Sequence, residues 1–214
     1  MKKKLTALLI EIMQSDILHA KWLNTLSYLE NCGARKIAAC EHPTLVKEEM
    51  LKHASEEFRH SHYLKKQIKK VSSFHFPNFG LSSLLGGINT LQYLNKLDVL
   101  ISRFLTKQSF LDKSELKKIA YLLVTYAIEI RAQKFYPIYD QILREQQSKV
   151  YVKSIILEEE QHLYEMEEGI KKLPLGEKYA KKACSFENAL FNKWIEGVEA
   201  DLSNHRIPDA QAVH

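Results

Sequence analysis

From about Leu5 to Ala39 the apolar positions repeat with the period of a helix, and no proline interrupts them. Leu23, Leu26, Ser27, Glu30, Ala34 and Ile37 fall on one stripe, so the run reads as a single long amphipathic helix with a polar residue on its inner face. Pro43 ends it. Thr44 stands where an N-cap belongs, with Glu48 and Glu49 in the first turn that follows, and the spacing predicts a second helix to about Val71. Residues 72–111 break this rhythm: Ser72 to Gly87 is rich in Ser, Phe, Pro and Gly, and Ile88 to Leu105 is helical and strongly apolar. Asp112, Lys113, Ser114 and Glu115 form a capping-box pattern that opens a third helix to about Arg144. Glu145 to Ser148 is a weak turn. A fourth helix then runs to about Leu173, stopped by Pro174 and Gly176, and a fifth covers about Glu177 to Leu202 before a polar tail expected to fray. The expected fold is all-α: one domain over residues 1–214, with a helical hairpin at 5–71, a long helical crossover at 72–111, a second hairpin at 112–173 and an extra C-terminal helix at 177–202.

Composition supports this. Only 7 Gly and 5 Pro in 214 residues leave little material for the turns of a many-stranded β fold. The net charge of +5 is too small to argue for nucleic acid, and the run Lys65-Lys66-Gln67-Ile68-Lys69-Lys70 reads as the solvated end of a helix, where basic charge complements the dipole. Cys32, Cys40 and Cys184 contain no C-x-x-C pair and are expected to be reduced thiols. Met1-Lys2-Lys3-Lys4 imitates a signal-peptide start, but the apolar run Leu5 to Ile10 is short and Glu11 interrupts it. No stretch approaches the ~20 apolar residues of a membrane span. A cytoplasmic location is the expectation.

The candidate chemistry lies in two Glu-x-x-His spacings, Glu57/His60 and Glu159/His162. Alone they carry little, because 20 glutamates and 9 histidines supply about one such pair by chance. The spacing places a carboxylate and an imidazole on one helix face, where both can grip one ion. Level strengthens the signal. In an antiparallel hairpin, residues equidistant from the turn face each other. The midpoint of Glu30 and Glu57 falls between Pro43 and Thr44; that of Glu129 and Glu159 falls on Arg144, beside the second turn. Each hairpin thus brings a lone Glu opposite a Glu-x-x-His, and two packed hairpins converge four carboxylates and two imidazoles. Met50, Ala54, Leu64 and Ile68 share the face of Glu57; Val152, Ile155, Met166 and Ile170 share that of Glu159. Burying four uncompensated carboxylates is prohibitively costly, whereas two divalent cations neutralise them.

This pattern resembles the ferritin-like di-iron carboxylate superfamily over about residues 16–173, in the double Glu-x-x-His form of rubrerythrins, bacterioferritins and di-iron oxygenases. The resemblance implies a four-helix bundle holding two metal ions. Glu30 and Glu129 would be terminal ligands, Glu57 and Glu159 bridging ligands, and His60 and His162 would supply one imidazole per metal. It also implies that residues 72–111 are the crossover between hairpins, with the apolar helix against the bundle. Ligands without thiolate suit iron first, with Mn or a mixed Fe/Mn pair compatible. His53, two turns from His60, reads as a core or supporting histidine. Tyr126 and Gln133 flank Glu129, and Tyr126 is a candidate to assist the site. Asp16 and His19 imitate the motif without a partner at their level, and His62 should lie outside.

The expected function is an oxidase or oxygenase acting with dioxygen or peroxide on a small, apolar substrate, with an external electron donor; a homodimer is compatible with it. Phe74, Phe76, Phe79, Leu91 and Leu94 either line an access channel or only cover the bundle. The alternatives are ferroxidase or iron-storage activity, against which Phe58 stands where a haem methionine of bacterioferritin type would be, and a non-catalytic helical partner-binding module. The missing C-x-x-C iron site weakens a rubrerythrin-type peroxidase, and no Gly-rich phosphate loop or G-x-S-x-G elbow is present.

Overall fold

Helical periodicity with few breakers yields seven α-helices and no strand among the residues that the computed structural model describes, 2–42, 44–108 and 113–205. They are α1 (Lys2–Met13), α2 (Asp16–Cys40), α3 (Glu48–Gln67), α4 (Gly87–Thr106), α5 (Lys113–Glu145), α6 (Lys153–Lys171) and α7 (Gly176–His205). The fold is an all-α helical bundle. α2 packs on α3 and α5 on α6 as two hairpins, α4 pairs with α7, and both lie against α5. Pro43, Asp112 and the tail from residue 206 lie outside the described residues, and with them the stop, the full capping box and the frayed tail expected from the sequence.

The first predicted helix is two. Ser15 adopts extended backbone and its side chain accepts from the Leu18 amide, with Asp16 in the new first turn, so the chain re-initiates a helix at this Ser-Asp pair. Thr44 is not the cap of α3. The His42 ring accepts from the Thr44 and Leu45 amides, which holds Thr44 in the connection, and the helix starts only at Glu48, with Lys47 as its uncapped first flank. Both helices still meet a connection centred where the midpoint of Glu30 and Glu57 requires it.

The second hairpin turn has a sharper cause than its composition suggests. Gln147 takes a left-handed φ of 52°, the Ser148 amide reaches back to the Leu143 carbonyl at 2.8 Å and the Gln147 amide to Arg144 at 3.0 Å. This is a Schellman ending in which glutamine occupies the position usually held by glycine. Pro137 sits inside α5 on its solvent face, and it leaves the carbonyl of Gln133, also an exposed residue, without a helical donor.

Two polar devices fix the crossover. Lys65 does not belong to a solvated face: it donates to the Asn24 side chain and to the Phe76 carbonyl, and stands over the Phe79 ring. Fully buried Asn24 in turn donates to the carbonyls of Asn78 and Ser83, so α2, α3 and the loop before α4 are tied at one point. At the far side, Gly86 and Gly197 let α4 and α7 approach closely. A Cβ on Gly197 would lie 2.6 Å from the Asn89 side chain, and one on Gly86, where φ is +82°, 2.7 Å from Thr90 Oγ1. No described helix is long and apolar enough to cross a membrane.

Candidate metal centre

All six residues expected to be ligands meet in the space between the two hairpins. Two groups of donors form there: His53, Glu57, Glu129 and His162, and Glu30, Glu57, His60 and Glu159. In each group, one ligand atom per residue lies within 4.8 Å of all the others. Glu57 belongs to both. Glu159 lies between the imidazoles, Oε1 at 3.1 Å from His60 Nδ1 and Oε2 at 3.7 Å from His162 Nδ1. His162 Nδ1 is also 3.6 Å from Glu57 and 3.8 Å from Glu129. The α2 and α5 stripes supply the lone carboxylates, and α3 and α6 supply the paired motifs.

The polar atoms facing the centre test whether a metal fits. His60 Nδ1, His162 Nδ1, His53 Nε2, Glu129 Oε2 and Glu159 Oε1 are buried and make no hydrogen bond. Buried polar atoms are nearly always paired, and five orphans pointing at one small volume are what donors arranged around cations look like. These buried His and Glu groups could hold metal ions.

The outer imidazole nitrogens are paired reciprocally. His60 Nε2 meets Glu158 of α6 at 2.8 Å, and His162 Nε2 meets Glu56 of α3 at 2.9 Å. Each of these glutamates immediately precedes the inward Glu of the opposite helix, so the working motif is Glu-Glu-x-x-His twice, with each helix orienting the other's histidine. A carboxylate on Nε2 fixes that proton and leaves the Nδ1 lone pair for a cation. Arg59 also bonds Glu158, which anchors this support at the surface.

Electrostatics shows why the centre needs counter-charge. Burial first, then repulsion from Glu159, raises Glu30, Glu57 and Glu129 above the usual carboxylate range, Glu57 and Glu129 well above it. Burial also acts on Glu159, but the close approach of Glu129, His162 and His60 outweighs it and holds this carboxyl low. His53 is lowered to about 4, by burial first and then by the neighbouring His162. Cations entering the centre would therefore bind in competition with protons on these carboxyls.

His53, read from the sequence as a supporting residue, stands in the inner group, with Nε2 3.3 Å from Glu129 and its ring centroid 3.8 Å from that of His162. The available signal was its spacing of four residues before Glu57, one turn away on the same face. Tyr126 does not reach the centre. It is half-buried, raised by burial and by Cys184 and Glu167, and does not border the cavity beside the carboxylates; Gln133 is exposed. The tyrosine at the centre is Tyr136, seven residues after Glu129, whose hydroxyl donates to Glu30. His62 is exposed, and His19 is a buried histidine paired with the Tyr139 hydroxyl at 2.8 Å.

On the carboxylate side, away from the histidines, lies a cavity of about 480 Å³ between α2, α4, α5 and α7. The crossover contributes α4 residues Tyr93, Leu94, Asp98 and Ser102 to its wall. Of the residues expected to form a channel, Leu94 lines it. Phe76 packs in the core, Phe79 lies against Tyr28, and Phe74 is exposed, so the loop before α4 covers the bundle. Comparison of the chain with protein-family models, with curated proteins and with solved structures finds no match.

Proposed function

We propose that the chain is a di-metal oxidoreductase of ferritin-like type that uses dioxygen or peroxide to oxidise an apolar organic molecule. The observation that carries this reading is the joint placement of two donor groups sharing Glu57 and a largely apolar cavity against their carboxylate face. Glu30, His60, Glu57 and Glu159 would hold one ion, and Glu129, His162, His53 and Glu57 the other. Oxygen and nitrogen donors without thiolate favour iron, with manganese or a mixed pair also suited. Two such ions side by side supply paired electrons to dioxygen, which one ion does poorly.

The chain's own residues set the conditions. Glu56 and Glu158 orient the imidazoles, and the Tyr136 hydroxyl donates its proton to the Glu30 carboxylate at the edge of the cavity. The aromatic floor of Phe135, Phe191 and Trp194 excludes water from the reacting space. An iron-storage role would call for a polar ion route to the carboxylates, and the space that reaches them is walled mainly by Leu, Ile, Val, Ala and aromatic side chains.

Anaerobic loading with ferrous iron followed by exposure to air tests the reading. The expected result is uptake of two irons per chain and oxidation without further accumulation, with oxygen consumption accelerated by an apolar substrate and a reductant. Accumulation of many irons per chain on repeated additions would favour storage instead.

A further inference from the structure

We infer that the substrate is a straight-chain carboxylic acid of about 14–16 carbons, bound with its chain along α2 and its carboxylate at the solvent end; this rests on the proposed function for the reaction but not for the binding. The cavity follows one stripe of α2: Leu26, Leu29, Gly33, Lys36, Ile37 and Cys40 all line it. At about 1.5 Å per residue, Leu26 to Cys40 spans roughly 21 Å. A space of about 480 Å³ drawn out along that length takes one extended methylene chain, and its length sets the limit on the chain. Gly33 lines the bore next to the centre, where a Cβ would sit in ordinary contact with Glu57 Oε2 at 3.5 Å and only a longer side chain would block the passage.

The two ends differ in chemistry. The inner end is closed by Leu26, Phe135, Phe191 and Trp194, and its one cation is committed: Arg131 makes bonds of 2.8 and 2.7 Å to buried Glu187 and lies over the Phe191 ring. The outer end is where lining residues reach solvent, at Ala39, Cys40, Asp98 and Lys117. Lys36 bridges to Asp98 across this mouth at 2.9 Å, and Lys117 has no ion-pair partner among the described residues. Two lysines against one aspartate leave a net positive rim, which suits an anionic head. Glu30 lies ten residues inward of Cys40, so at ~1.3 Å per carbon, from C–C bonds of ~1.5 Å, the donor groups face about the twelfth carbon from the head. Roughly four further residues of α2 remain for the end of the chain.

Isothermal titration of the full chain with saturated carboxylates of eight to eighteen carbons, and with 1-alkanols of the same lengths, tests this, with metal content measured on the same samples. Affinity should rise with length to 14–16 carbons and fall beyond. Lys36→Gln combined with Lys117→Gln should weaken the acids about tenfold and leave the alkanols unchanged. Gly33→Leu should block both classes, and Leu94→Trp, which narrows the bore from α4, serves if the first does not fold. Absence of binding by acids of 12–16 carbons, affinity independent of length, or equal loss for acids and alkanols in the lysine variant would overturn the inference. Metal bound without acid binding would sink it alone. Acid binding by protein that takes up no metal would leave it standing and sink the proposed function.

Discussion

At the residue scale, the two imidazoles have distinct inner and outer nitrogens, and the outer ones are held by Glu56 and Glu158. Removing such a carboxylate typically costs 10–100-fold in metal affinity. Glu56→Ala and Glu158→Ala should each show a loss of about that size in competition with a chelator, while Glu160→Ala, two positions after Glu158 and exposed, should show none; wild-type affinity in the first two would contradict the assigned tautomers. His19 gives a separate test, remote from the centre. Burial, partly opposed by Asp16, lowers it from 6.5 to about 4. The unfolded chain therefore binds this proton more readily, and the stability owed to the neutral ring is complete above pH 6.5 and is lost as pH falls through 4. The full difference amounts to roughly 3 kcal/mol. In urea unfolding, wild type should lose that much more stability than His19→Phe between pH 7 and 4, and parallel profiles would refute it. Sequence reasoning found the six inward donors because their spacing and level are helical quantities. Glu56, Glu158 and Tyr136 escaped it because their roles depend on which helix faces which, and a residue's own periodicity does not state its partner across a bundle.

At the element scale, the hairpins were legible and their joints less so. Helix spans followed from apolar stripes, but the break at Ser15 is a local competition between a good cap and a continuing stripe, and the cap won. The turn after α5 was weak in sequence because glycine is missing from a position that needs a left-handed φ. That position predicts a gain: Gln147→Gly relieves the conformational cost while raising the entropy of the unfolded chain, and should stabilise the protein by up to about 1 kcal/mol. Chemical denaturation would show it as a higher midpoint at unchanged slope, and a lower midpoint would rule out this account of the turn. The crossover was legible as an apolar helix, but its task was not. Only the packed arrangement shows α4 forming a cavity wall while the Phe-rich loop before it acts as cover, pinned through Lys65 and Asn24.

At the scale of the whole molecule, the bundle spends its core on a polar centre. Four carboxyls and three imidazoles occupy the space between hairpins, surrounded by apolar stripes, and three of the carboxyls are pushed upward by burial and mutual repulsion. Cations that neutralise this cluster bind the folded chain alone, and at free concentrations about a thousandfold above their dissociation constant would stabilise it by about 4 kcal/mol. The most direct test is metal stoichiometry, by elemental analysis after ferrous loading and desalting, in wild type and Glu57→Ala, with melting temperatures before and after chelation. Because Glu57 is shared by both donor groups, wild type should hold two ions per chain and melt lower once chelated, while the variant should hold almost none and be indifferent to chelator. Folded wild-type protein that binds no metal, or a variant that keeps both ions and its full stability, would contradict the account.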